Sequence, residues 1–215
     1  MNDLSKSFFN EFSTLLYWKD VIYQSQNTSG KNRGGFFLCL PNFEEDKENF
    51  EIKHGEYRKE EQYSHQKILE GKWGKIKVET DWQENNTTLL TKIKIISLKD
   101  KTKLLPGLHP YFVVDENFEI NIGQQIISKN NLADDKLIIL NEETNTAKLI
   151  TNNKTIQIDI AAQNKNISFG VWSDNKDNYI CIEPIINEGL ENNFPKYFTL
   201  DENDILEIEC KIQII

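Results

Sequence analysis

The chain has 215 residues, of which 38% are hydrophobic and 11% aromatic, a globular composition rather than a disordered one. That length buries a real core without disulfide staples. A formal net charge of -9 and a pI of about 5.0 repel phosphate backbones and anionic lipid, which argues against nucleic-acid and membrane partners.

The first twenty residues, MNDLSKSFFNEFSTLLYWKD, contain no uninterrupted apolar run and no small-residue cleavage site. No signal peptide is predicted, and no later stretch is long enough to span a bilayer. Phe8, Phe9, Phe12, Leu15 and Leu16 recur at helical spacing behind Ser5 or Ser7 as a cap, though an entry strand fits nearly as well. Next come "NRGGFFLCLPNF" from Asn32, the charged loop "EEDKEN" from Glu44, "KHGEYRK" from Lys53 and "RKEEQ" from Arg58. Beyond these the pattern is period two. "KIKVETDW" from Lys75, "LLTKIKIISL" from Leu89, "FEINI" from Phe118, "KLIIL" from Lys136, "TIQIDI" from Thr155 and "ILEIECKIQII" from Ile205 read as strands rich in β-branched residues. Turn clusters separate them at Asn85-Asn86, Asp134-Asp135, Asn152-Asn153, Asp174-Asn175 and Asp201 to Asp204. Many strands with no helix long enough for a crossover predict an all-β antiparallel sandwich, with residues 1–215 as a single domain.

The three cysteines, Cys39, Cys181 and Cys210, form an odd set without paired spacing, each in an apolar or alternating stretch. They read as buried reduced thiols on strands, consistent with a cytoplasmic protein; no basic sequence neighbour marks one as a nucleophile. His54, His65 and His109 lack the H-x-x-x-H or C-x-x-C spacings that gather metal ligands on one element, so no metal site is expected. "GKNRGG" is not a phosphate loop, and no serine sits in a G-x-S-x-G elbow.

Three local contexts stand out. The only arginines among 25 basic residues, Arg33 and Arg58, sit in "NRGG" and "EYRK". Arginine suits bidentate recognition of carboxylate, phosphate or sugar hydroxyls, and equally a structural brace to a carboxylate. His109 in "PGLHPYFVVD" precedes a proline, which favours an extended backbone; the residue is either a hydrogen-bonded core histidine or an acid–base group. Glu183 in "NYICIEPIINEG" interrupts an apolar strand, so it must be paired, protonated or facing a cleft. It is therefore either a general base or a buried structural carboxylate.

In order along the chain, "RGGFFLCLPNF", "HGEYR", "HPYF" and "CIEP" resemble the aldose 1-epimerase (galactose mutarotase-like) superfamily, nearest the short bacterial branch related to glucose-6-phosphate 1-epimerase. The resemblance runs from about Tyr17 to the C-terminus. It implies a large antiparallel β-sandwich and interconversion of the α and β anomers of a hexose or hexose phosphate without a cofactor. It also implies His109 as general acid, Glu183 as general base, and Arg33, His54 and Arg58 as sugar- or phosphate-binding residues. Acid and base are expected to flank one solvent-reachable cleft. The pattern departs from that branch at Glu56-Tyr57, at "GQQIISKNNLADDKL" after "HPYF", and at "IINEG" after Glu183-Pro184. These departures motivate a second reading, a non-catalytic carbohydrate-binding module on the same fold. A structural interaction protein is a third.

Overall fold

A computed structural model of the protein describes residues 18, 20–23, 35–42, 66–132, 136–175 and 178–215. The segment Phe8 to Leu16, for which helix and entry strand are both expected from spacing, lies outside these residues, as does the Asp134-Asp135 turn.

In chain order the strands begin with β1 (Phe36–Cys39), β2 (Gln66–Gly71), β3 (Gly74–Glu84), β4 (Thr88–Ser97), β5 (Thr102–Leu104) and β6 (Gly107–Val113). They continue with β7 (Phe118–Ile122), β8 (Gln125–Ser128), β9 (Ile138–Leu140), β10 (Thr146–Thr151), β11 (Thr155–Ala162) and β12 (Asn166–Trp172). The last are β13 (Tyr179–Asn187), β14 (Leu190–Glu191), β15 (Phe194–Pro195), β16 (Phe198–Leu200) and β17 (Ile205–Ile214). The only helix among the described residues is a single 3-10 turn at Lys129–Asn131. Every strand expected from alternation is present, although "KLIIL" contributes only the three residues of β9.

Two large antiparallel sheets make up the sandwich. One has five strands in the order β1-β6-β13-β12-β9; the other has eight, in the order β2-β3-β4-β17-β11-β10-β7-β8. The eight-stranded sheet is amphipathic in the way its sequence dictates. On β17, Leu206, Ile208, Cys210 and Ile212 are buried, while the residues between them face outward. On its outer face Lys94 stands opposite Glu79 and Glu207, and Lys92 opposite Asp81 and Glu209. Such exposed pairs add little stability, but they fix which face turns to water.

The inner face packs against the five-stranded sheet. Ile76, Val78 and Ile95 from one sheet share a single apolar cluster with Leu108, Ile180 and Ile182 from the other. Each such side chain contributes about 1.5–3 kcal/mol by leaving water. The five-stranded sheet differs because it is buried on both faces: all nine residues of β13 are buried. Ile180, Ile182 and Ile186 enter the shared core. Tyr179, Cys181, Glu183, Ile185 and Asn187 alternate with them and so lie on the opposite face.

One glycine is required by the fold. Gly74 opens β3 at a φ of +135°, and a Cβ there would stand 2.5 Å from Thr102 Oγ1. That hydroxyl donates to the Lys99 carbonyl at 2.8 Å and accepts from Ser97 Oγ at 2.9 Å, so the hairpin sits directly on a hydrogen-bonded turn.

Candidate functional site

The outer face of the five-stranded sheet brings His109 and Glu183 together. β6 and β13 pair antiparallel, with Cys181 opposite Tyr111 and Ile185 opposite Gly107; the same register sets Glu183 opposite His109. Ile186 N–H donates to the Pro106 carbonyl and Val114 N–H to the Asn178 carbonyl. The even-numbered pairs are thus the hydrogen-bonded ones, and His109–Glu183 is a pair of the other kind, whose side chains stand closer. Each residue is followed by a proline, Pro110 or Pro184, which has no N–H to give the ladder. The strands are therefore less tightly laced on either side of this pair than elsewhere along their length.

His109 Nε2 lies 3.4 Å from Glu183 Oε1. His109 is 3% and Glu183 2% exposed, which is where the structure departs from the solvent-reachable cleft expected from sequence. The two groups sit side by side on one sheet face. Two cavities bounded by described residues lie elsewhere: one of about 220 Å³ beside Trp73 and Thr102, and one of about 370 Å³ beside Phe118 and Asn152. At 3.4 Å a protonated imidazole is a counter-ion for the carboxylate.

An aromatic cluster surrounds the pair. Tyr111 stacks on the His109 ring with centroids 4.8 Å apart and planes 18° apart, and Trp172 meets that ring edge-on at 6.5 Å. Tyr179 packs against Tyr111 at 5.3 Å, Trp172 at 5.9 Å and Tyr23 at 4.8 Å. Trp172 and Tyr23 are half-buried, so the cluster reaches solvent through them. Across from Glu183, β12 presents Gly170, where a Cβ would lie 3.1 Å from Leu137 Cδ1 and 3.4 Å from Glu183 Cβ. The absent side chain leaves Glu183 its place. Further along the face, Asn187 Nδ2 donates to Ser168 Oγ at 3.0 Å and to the Ile185 carbonyl at 2.9 Å, which fixes the end of β13 beyond the pair.

Cys181 belongs to the same face. Its Sγ, a His109 ring nitrogen and a Glu183 oxygen all lie within 4.8 Å of one another, the one such buried group of potential metal ligands among the described residues. No basic residue adjoins Cys181 in sequence; the fold supplies one in His109. All three cysteines are buried thiols outside any disulfide, as their strand positions predict.

Arg33, His54 and Arg58 lie outside the described residues. Among those described, the residues that sequence reasoning passed over are Tyr111, Trp172, Tyr179 and Cys181. The signal for three of them was present, since Tyr111 follows His109 by two, while Cys181 and Tyr179 precede Glu183 by two and four. Period-two spacing puts each on the face of its acid–base neighbour. Trp172 comes from another strand and needs the register.

No protein-family model matches the sequence, and no curated protein matches it. Solved structures do resemble it. The Slr1438 protein of Synechocystis sp. PCC 6803 superposes with a TM-score of 0.65 at 15% identity, covering 90% of this chain and 84% of that one. A galactose mutarotase-like protein from Lactobacillus casei ATCC 334 gives 0.61 at 13% identity, covering 90% and 89%. An Escherichia coli K12 protein provisionally called an aldose 1-epimerase gives 0.59 at 10% identity, covering 84% and 83%. No helix among the described residues is long and apolar enough to cross a membrane. With two antiparallel sheets in this order and these neighbours, the chain has the fold of the aldose 1-epimerase (galactose mutarotase-like) superfamily.

Proposed function

We propose that the protein is an aldose 1-epimerase-type isomerase that interconverts the anomers of a hexose or hexose phosphate, with His109 as acid and Glu183 as base. The observation that carries this is the 3.4 Å contact between the two side chains on an aromatic-lined sheet face. A cyclic aldose carries both reacting oxygens, the C1 hydroxyl and the ring oxygen, on one carbon. A donor and an acceptor held side by side match that arrangement.

Glu183 takes the proton of the C1 hydroxyl as His109, protonated, donates to the ring oxygen. The C1–O5 bond breaks and the C1 carbonyl forms, leaving neutral imidazole and a protonated carboxyl. Rotation about C1–C2 turns the other carbonyl face to the C5 hydroxyl. Closure then returns both protons and restores the charged pair. The state that starts the cycle is the one Coulombic attraction at this distance favours. Aromatic walls with a few convergent polar groups are the usual make-up of a small-molecule site, and the flat rings suit the C–H faces of a sugar. Because the pair is buried, access for a sugar requires local opening at this face. Reduced buried thiols fit a cytoplasmic setting for such an enzyme.

Anomer exchange followed by NMR or polarimetry across hexoses and hexose phosphates tests the reading. His109→Ala and Glu183→Gln should each lower the rate on the order of a hundred- to ten-thousand-fold. Wild type no faster than the two variants on every sugar would end it. The same burial that defers access favours the second reading, a carbohydrate-binding module without turnover. Calorimetry showing saturable sugar binding with no rate enhancement would select that one.

A further inference from the structure

We propose that His109, Cys181 and Glu183 form a binding site for Zn²⁺ or a similar thiophilic divalent cation, and that its occupancy blocks the acid–base pair. The blocking half rests on the function proposed above; the binding half does not.

The geometry is close to what zinc asks for. Bonds of about 2.0–2.1 Å to nitrogen and 2.0–2.2 Å to oxygen at tetrahedral angles put those two ligand atoms about 3.4 Å apart. His109 Nε2 and Glu183 Oε1 are 3.4 Å apart. With a bond of about 2.3 Å, the sulfur should stand about 3.6 Å from each. Cys181 Sγ, a ring nitrogen of His109 and a carboxylate oxygen of Glu183 already lie within 4.8 Å of one another, so closing the site needs a movement of about an ångström. The backbone holds the set together: Cys181 and Glu183 alternate on one strand, and His109 is opposite Glu183 on the next.

Charge agrees with geometry. On binding, the thiol gives its proton to solvent, and thiolate plus carboxylate then balance a dication exactly two for two, so the buried site carries no net charge. A thiolate–imidazole pair selects zinc, cobalt or copper over magnesium and calcium. Three protein ligands leave a fourth position for water. With a cation in place, neither the imidazole nitrogen nor the carboxylate oxygen it holds is available to move a proton.

Cobalt(II) serves as the probe, read by its thiolate charge-transfer band in the near ultraviolet without any sugar present. Wild type should take up one equivalent with that band, and Cys181→Ser should lose the band and at least tenfold in affinity. Zinc should displace the cobalt and, in wild type, slow the alkylation of Cys181 that local opening of its buried thiol permits, as read by peptide mass over time, a measurement that does not depend on the variant folding. Absence of the band in wild type, its persistence in Cys181→Ser, or undiminished labelling of Cys181 under saturating zinc would each overturn the site. Zinc should also slow anomer exchange in wild type, reversibly with a chelator. Full exchange at saturating zinc would overturn the blocking. Failure of the isomerase reading would show as no exchange with or without metal, and would leave the cobalt band unchanged.

Discussion

Replacing His109 by leucine removes the imidazole and leaves Glu183 buried at 2% exposure. With the two groups 3.4 Å apart, the lost attraction is about 5 kcal/mol at an effective dielectric of about 20. Taking a proton is the carboxyl's alternative to bearing that loss as a charge, at about 1.4 kcal/mol for each pH unit between an unfolded-state value near 4.3 and the ambient pH. That caps the destabilisation at about 3–4 kcal/mol at pH 7 and about 1 kcal/mol at pH 5. The cap rises with pH, so the cost of the substitution is expected to be larger at pH 7 than at pH 5.

Glu183→Leu is milder, because the imidazole it leaves sheds its proton near neutrality at little cost. In the double variant neither charge remains, and a buried pair replaced by apolar side chains of similar volume is neutral or stabilising. Urea denaturation of the four proteins at pH 7 and pH 5 closes the cycle. We expect a coupling of about 2–3 kcal/mol at pH 7 that shrinks by pH 5. Additivity within about 0.5 kcal/mol, or a His109→Leu cost equal at both pH values, would refute the account of the two as charged partners.

Gly74→Ala should destabilise by more than about 1 kcal/mol, since its Cβ meets Thr102 and its φ of +135° suits glycine alone; a denaturation midpoint equal to wild type would refute this. Burial, with the Asp159 charge behind it, pushes the Cys210 thiol well above its ordinary range. Because the folded thiol keeps a proton that the unfolded one gives up, stability should fall by up to about 1.4 kcal/mol per pH unit above about pH 8.5. Cys210→Ala should flatten that slope between pH 8.5 and 10, and a slope identical to wild type would show that the thiol is not the cause.

The strands were legible because one face of the eight-stranded sheet meets water. Its alternation is clean, as in β17, where isoleucine, leucine and cysteine point inward between outward glutamates and lysine. β6 and β13 gave weaker signals for a physical reason. Both faces are covered, so "GLHPYFV" and "YICIEPIIN" read as continuous apolar runs, and nothing in them says which of the two faces meets the shared core. Glu183 could be singled out because a carboxylate has no place in such a run, and His109 because it stood beside a proline and two aromatics. That they oppose one another is a matter of strand register across a long stretch of chain. So is the approach of Trp172, and so is the proximity of a histidine to Cys181, which a search for basic residues near each cysteine in sequence had no means of finding.

The two prolines show how the sheet accommodates such a pair. A central strand ordinarily excludes proline because a ladder hydrogen bond is lost, yet Pro110 and Pro184 occupy neighbouring central strands, each directly after the acid or the base. Each loss is about 0.5–1.5 kcal/mol when the partner carbonyl finds another donor, and more when it stays buried without one. The sheet can carry that loss because the other face of the same residues is fully engaged: Leu108, Ile180, Ile182 and Ile186 are all at most 1% exposed in the shared core. The inner face thus supplies apolar burial along its whole length, while the outer face gives two positions to an ion pair that apolar side chains of similar volume would match or better. A face selected for stability alone would carry valine or isoleucine at positions 109 and 183 and an ordinary ladder residue after each.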